Sequence, residues 1–199
     1  MPSTLLILAH PNPTSLNHAL ADAVRGALVE HGHTVWFHDL YAEALDPVLP
    51  AGEVPRDAPL DAVIARHCEE LASADGIVIV HPNWWGQPPA ILKGWIDRVM
   101  RPGVAYRFLE GDAGDGVPVG LLRARAALIL NTSNTPRSRE LASFGDPLET
   151  LWRNCVFGLC GVERVERRMF GVVVTSTAEQ RRAWLGEATE LAVHLFRGE

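Results

Sequence analysis

The chain has 199 residues, 47% of them hydrophobic, with 18 Lys and Arg against 24 Asp and Glu for a formal net charge of −6. That length suffices for a single domain, residues 1–199, that buries roughly 70% of its unfolded surface, and the apolar content excludes a disordered chain. No apolar run approaches the roughly 20 residues that span a bilayer, and the arginines are too dispersed for a basic tract, so neither membrane insertion nor a nucleic-acid partner is expected.

The first predicted strand, Thr4 to Ala9, begins almost at once, and the residues before it carry no basic region, which reads as mature cytoplasmic sequence. A helix follows, with Leu16, Leu20, Ala23, Ala27 and Leu28 on one flank and Asp22, Arg25 and Glu30 outward. The turn at His31-Gly32-His33 leads into a second strand, Thr34 to His38, and the four prolines between Asp46 and Pro59 mark a surface excursion. Val63, Ile64, Cys68 and Leu71 stripe a helix between Leu60 and Ala74. The third strand, Gly76 to Val80, is continuously apolar, and Pro89 opens a helix from Ala90 to Met100 in which Gly94 permits close packing. Gly103 to Gly120 reads as a loop with a small hairpin near the ligand edge. The fourth strand is Arg125 to Leu130. A helix follows from Pro147 to Leu159, then Arg164, Arg167 and Arg168 in a solvated connection, a fifth strand from Phe170 to Val174, and a last helix from Ala178 to Phe196.

Strands that read as unbroken apolar runs, alternating with helices, predict an α/β doubly wound parallel sheet covered on both faces. Ligands of such sheets bind beyond the carboxyl ends of the strands. Three loops meet that edge. The first, His10-Pro11-Asn12-Pro13-Thr14-Ser15-Leu16-Asn17, has hydroxyls and amides at a helix start and no acidic residue, which suits a phosphate; Ser15 or Asn17 serving only as a helix cap is the competing reading. It contains no glycine, so neither GxGxxG nor GxxxxGK is present.

The second loop, His81-Pro82-Asn83-Trp84-Trp85-Gly86-Gln87-Pro88-Pro89, is rigid and aromatic. Its tryptophans are suited to wall a planar ring, with Gln87 as a possible hydrogen-bonding partner, or else to pack beneath the sheet edge and at an oligomer interface. Lys93, on the next helix, reads as a surface residue. The third loop, Asn131-Thr132-Ser133-Asn134-Thr135-Pro136, offers hydroxyls and amides for the edge of a heterocycle, or a plain turn and cap. There is no GxSxG elbow, no HExxH and no compact metal-ligand pattern, and the three cysteines, Cys68, Cys155 and Cys160, have neither CxxC spacing nor an even count. They read as reduced cytosolic thiols, and no metal is expected.

The block from Pro82 through Trp84-Trp85-Gly86 and Pro89-Ala90-Ile91-Leu92-Lys93-Gly94-Trp95 to Asp97-Arg98-Val99 resembles the flavodoxin-like NAD(P)H:quinone reductase family. So do His10 with Ser15-Leu16-Asn17, Gly145-Asp146, Leu151-Trp152 and Cys160-Gly161. The resemblance covers most of the chain. It implies a flavodoxin-like sheet of order 2-1-3-4-5, a noncovalent flavin (FAD, with FMN as the alternative), NAD(P)H as electron donor, a quinone or related acceptor, ping-pong turnover and a homodimer. By the same resemblance His10, Ser15, Leu16 and Asn17 surround the phosphate-bearing tail. Pro82, Asn83, Trp84 and Trp85 line the isoalloxazine together with Thr132, Ser133 and Asn134.

Mammalian-type relatives carry a tyrosine and a histidine where this chain has Ser138 and Phe144, and glycines where it has Ser133 and Asn134. Arg137 and Arg139 are candidates to meet a substrate anion or to stabilise a loop. The alternative function implied by small relatives is a flavin-binding regulatory subunit of an ion-transport system.

Overall fold

The computed structural model describes residues 1–109, 111 and 116–197. Parallel strands β1 (Ser3–Leu8), β2 (Thr34–Asp39), β3 (Gly76–Pro82), β6 (Ala126–Ser133) and β7 (Arg164–Gly171) form one sheet in the order β2-β1-β3-β6-β7. This is the expected 2-1-3-4-5 arrangement. Strand parity splits the core in two: Leu5, Ile7, Ile77, Ile79, Ala127 and Ile129 face one layer, and Leu6, Leu8, Val78, Val80, Leu128 and Leu130 the other.

The first layer carries α2 (Ala62–Ser73), α3 (Ala90–Val99) and a π-helix (Leu151–Gly158), with Trp95 and Trp152 fully buried in it. The second carries α1 (Leu16–Glu30) and α6 (Ala178–Leu195). Gly94 is a close-packing position, because a Cβ there would lie 2.2 Å from the Pro47 carbonyl oxygen. That contact ties the 46–59 excursion to α3, and buried Arg98 reinforces it by donating to Glu53 Oε2 at 3.0 Å and to the Asp46 carbonyl at 2.8 Å.

Several sequence expectations are corrected. The fifth strand is Arg164–Gly171, not Phe170 to Val174, so the three arginines lie in the strand. As an edge strand, β7 turns Val165, Arg167 and Met169 to one face and Glu166, Arg168 and Phe170 to the other, and Arg167 and Arg168 meet charges of the elements that cover them. Arg167 pairs with Asp146 and Glu149, and Arg168 pairs with Glu187 of α6. A separate helix, α4 (Arg137–Phe144), precedes α5 (Pro147–Thr150) and the π-helix, where a single helix was expected from Pro147. Val63 is exposed rather than part of the α2 stripe.

The small hairpin exists as β4 (Tyr106–Arg107) paired antiparallel with β5 (Val119–Gly120), although residues 110 and 112–115 of that segment lie outside the described residues. It sits against Cys160, between the end of α3 and the start of β6, at the amino rather than the ligand edge.

Candidate functional site

Main-chain bonds stitch the strand ends of the carboxyl edge together. Ala9 N–H donates to the Val80 carbonyl at 2.9 Å, Asn83 N–H to Thr132 at 2.7 Å, and Val173 N–H to Ser133 at 3.0 Å. The loop after β1 is wound by Asn12, whose Oδ1 accepts from Thr14 N–H at 2.9 Å and from Thr14 Oγ1 at 2.8 Å. Ser15 then caps α1, accepting from His18 N–H at 3.3 Å. The N–H groups of Leu16 and Asn17 begin the helix, where the residues four back are not helical and their carbonyls do not receive them. Asn17 is buried and donates Nδ2–H to Thr132 Oγ1 at 2.9 Å, while its Oδ1 has no partner among the described residues.

The loop after β3 closes on itself. Trp84 and Gln87 exchange two main-chain hydrogen bonds of 3.0 Å, and Trp85 and Gly86 between them both have positive φ, at 56° and 70°. Two positive φ values define a type I′ turn, which is easy for Gly86 and strained for Trp85. Asn83 Oδ1 holds the turn by accepting from Gly86 N–H at 3.0 Å. A Cβ on Gly86 would meet Pro147 Cγ at 2.7 Å, so the turn is seated against the start of α5. Trp84 is half-exposed, and the Trp85 side chain stands fully in the open.

These loops enclose a cavity of about 670 Å³ above the β1/β3 switch point. The residues that the family resemblance assigns to the flavin line it: His10, Ser15, Leu16, Asn17, Pro82, Asn83, Trp84, Trp85, Thr132, Ser133 and Asn134. Thr14, Gly86, Thr135, Glu140, Phe144, Pro147, Val173 and Arg181 line it too. Of these, Glu140, Val173 and Arg181 had no sequence signal, because their placement depends on α4 and on β7 ending at Gly171. Arg137, Arg139 and Ser138 are exposed on α4 outside the lining, as is Gln87, whose role is confined to the turn. Lys93 sits at the surface, paired with Asp97.

His10 lines the cavity; its Nδ1 accepts from Asn12 N–H at 3.1 Å, which leaves the ring proton on Nε2, and partial burial lowers its pKa. Beneath the cavity lies fully buried His81. Its Nδ1–H donates to the Pro82 carbonyl at 2.8 Å and its Nε2 accepts from the Trp152 indole at 3.0 Å; burial pushes its pKa down to about 4. Beside it Arg167 donates to Asn131 Oδ1 at 2.7 Å and to Glu149 at 2.9 Å, and closes on Asp146, whose φ of 50° turns the chain into α5. The floor is thus a packed polar network that fixes where β3 and β6 end.

A compact ligand set does occur away from this site, contrary to the sequence expectation: His38, Glu43 and His67, with ligand atoms all within 4.8 Å of one another. Its hydrogen bonds are complete without an ion. Trp95 donates its indole N–H to His67 Nδ1 at 2.9 Å, which leaves the proton on Nε2, facing Glu43 at 3.2 Å. His38 lies between Glu43 and Glu70. The cluster clamps edge strand β2 to α2 and offers no free imidazole lone pair on His67.

A doubly wound parallel sheet with an aromatic-walled cavity at its switch point defines a flavodoxin-like α/β protein. The family model described as "Flavodoxin-like fold" matches residues 2–191. An uncharacterized NAD(P)H oxidoreductase of Haemophilus influenzae is 32% identical over 191 residues, covering 94% of this chain and 92% of that protein. Human ribosyldihydronicotinamide dehydrogenase [quinone] is 30% identical, with 98% and 92% covered. The crystal structure of Smu.1420 from Streptococcus mutans superposes with a TM-score of 0.84 at 29% identity, covering 97% of this chain and all of that one. The chain belongs to the flavodoxin-like NAD(P)H:quinone reductase family.

Proposed function

We propose that the protein is an NAD(P)H-dependent flavin oxidoreductase that reduces a quinone or related electrophilic acceptor, with FAD as its cofactor and FMN as the alternative. The observation that carries this reading is the convergence of three separate loops on one cavity, in which a hydroxyl- and amide-rich helix start faces an aromatic turn. The residues fit a flavin. Asn17 Oδ1 is a buried acceptor without a partner among the described residues, as a polyhydroxylated chain would require, and Trp84 and Trp85 supply a wall for a flat ring.

In this reading the N–H groups of Leu16 and Asn17, at the positive end of α1, hold the phosphate, and His10 Nε2–H adds a donor. Pro82, Asn83, Thr132, Ser133 and Asn134 orient the ring edge through amide and hydroxyl groups. When bound, the flavin supplies two-electron transfer, receiving from the nucleotide and giving to the acceptor in alternate visits to one pocket. The buried floor holds the loops in place for both, so that little reorganisation accompanies either step. The exposed Trp85, Leu141 and Phe144 near the mouth support a homodimer that covers them. No helix among the described residues is long and apolar enough to cross a membrane, and a cytoplasmic location belongs to the same reading.

The test is the visible spectrum of freshly purified protein, mass identification of the released cofactor, and NADH or NADPH oxidation with added quinones. Oxidised-flavin bands and quinone-dependent oxidation are expected. A colourless protein that takes up neither FAD nor FMN would overturn the proposal.

A further inference from the structure

Helix α4 is inverted with respect to an ordinary surface helix. Its apolar residues Leu141 and Phe144 are 65% and 55% exposed, while the one buried residue among Arg137–Phe144 is Glu140, at 4%. Glu140 lines the cavity, and no hydrogen bond or ion pair reaches its carboxylate among the described residues. Neither of its oxygens is among the fully occluded, unpartnered atoms, so what remains exposed opens onto the cavity. Burying a carboxylate without a partner is costly, and a chain that tolerates it in a ligand cavity invites a functional account.

The position within the cavity is defined by neighbours. Glu140 lies one helical turn before Phe144, on the same face, and α5 begins at Pro147, which touches the Trp84–Gln87 turn. The carboxylate therefore belongs to the aromatic end of the cavity rather than to the helix-α1 end. The cavity's other ionisable groups make no ion pair with it among the described residues: Arg181 donates instead to Ser176 Oγ at 2.8 Å and to the Val173 carbonyl, and burial lowers the pKa of His10.

We infer that Glu140 determines acceptor specificity by charge, admitting neutral and cationic planar acceptors to the aromatic end and rejecting anionic ones. This rests on the reading of the cavity as a flavin-dependent reductase site. A fixed negative charge in a partly dry pocket repels an anion far more strongly than it would in water, and discrimination built on repulsion needs no contact with the favoured acceptor.

The experiment compares the wild type with Glu140→Gln, which removes the charge at nearly constant shape, and with Glu140→Asp, which keeps it. Two quinones sharing one ring system, one bearing a sulfonate, are assayed for kcat/KM in the flavin-loaded protein. The same pair is titrated into flavin-free protein by quenching of tryptophan fluorescence. Glu140→Gln is expected to raise the sulfonated-to-neutral ratio by at least about tenfold in both measurements, with Glu140→Asp staying close to wild type. A ratio in Glu140→Gln within twofold of wild type overturns the inference. So does an equal rise in Glu140→Asp. If no flavin binds at all, the titration still reads the charge filter, so failure of the cofactor reading is seen separately from failure of this one.

Discussion

The two ends of the sheet form a natural comparison. The amino edge holds the larger cavity, about 880 Å³, lined by Arg123, Arg125, Arg164 and Arg197, where α1, α2 and α6 end. The carboxyl edge holds the smaller one, about 670 Å³, where α1 begins and the tryptophan turn closes. Helix C-termini are the negative ends of their dipoles, and arginines gathered there complement them in the open. Helix N-termini leave donors free, and the sequence places small polar groups, an aromatic turn and a buried supporting network around them. Volume alone would choose the amino edge; the direction of the helices and the depth of the polar network favour the carboxyl edge.

Strand β7 carries the contrast in a single element, with Arg164 at its amino end and Arg167 toward the site. The Arg167 side chain is nearly inaccessible and bonds Asn131, Asp146 and Glu149 together. Arg167→Met strands the buried Asp146 carboxylate and is expected to cost about 3–5 kcal/mol, read as a lower urea midpoint, together with loss of bound flavin. An unchanged midpoint would mean that the floor of the site is not structurally anchored there.

Acid separates folded from unfolded protein through two buried histidines. Burial lowers the pKa of His81, under the site, and of His67, in the β2–α2 clamp, to about 4 each. Both rings stay neutral in the folded chain while the unfolded chain takes up protons from about pH 6.5 downward. Their stabilising contribution is present above that pH and is lost as pH falls toward 4, by about 3 kcal/mol each. Denaturant titrations between pH 7 and 4 check this. His81→Gln and His67→Gln are each expected to flatten the slope, and a slope unaffected by either would remove the account.

Much of this was readable from residue types. Apolar runs such as Gly76–Val80 announce central strands because both faces are buried, and the three loops follow from the topology those strands impose. What stayed hidden depends on partners distant in sequence. Arg164, Arg167 and Arg168 look like a solvated linker because nothing local shows that Asp146, Glu149 and Glu187 await the last two. Glu140 carries no local signal because its place in the cavity depends on helix α4, which the sequence did not announce, and the π-helix at Leu151–Gly158 has no pattern that distinguishes it from an α-helix. The His38–Glu43–His67 clamp is invisible for the same reason, since β2 and α2 must first be brought together.

Trp85 offers a smaller and sharper test of the carboxyl edge. Its left-handed backbone costs about 1 kcal/mol that glycine would not incur, while its side chain contributes nothing to the core. Trp85→Gly is therefore expected to raise the urea midpoint slightly and to weaken flavin binding several-fold, the signature of strain kept for a ligand. If stability falls, or flavin affinity holds, the turn is a structural device instead.

The amino edge should register almost nothing. Arg164 is exposed and has no ion pair among the described residues, so Arg164→Ser is expected to change stability by no more than about 0.5 kcal/mol and flavin affinity by less than twofold. Two residues, Val165 and Glu166, separate it from Arg167 along the same strand. The expected ratio of effects, several kcal/mol against a few tenths, measures how far burial and partners, rather than the arginine itself, define the working end of the sheet. A large loss in Arg164→Ser would show that the amino-edge arginines are anchored too, and would remove the distinction between the two edges.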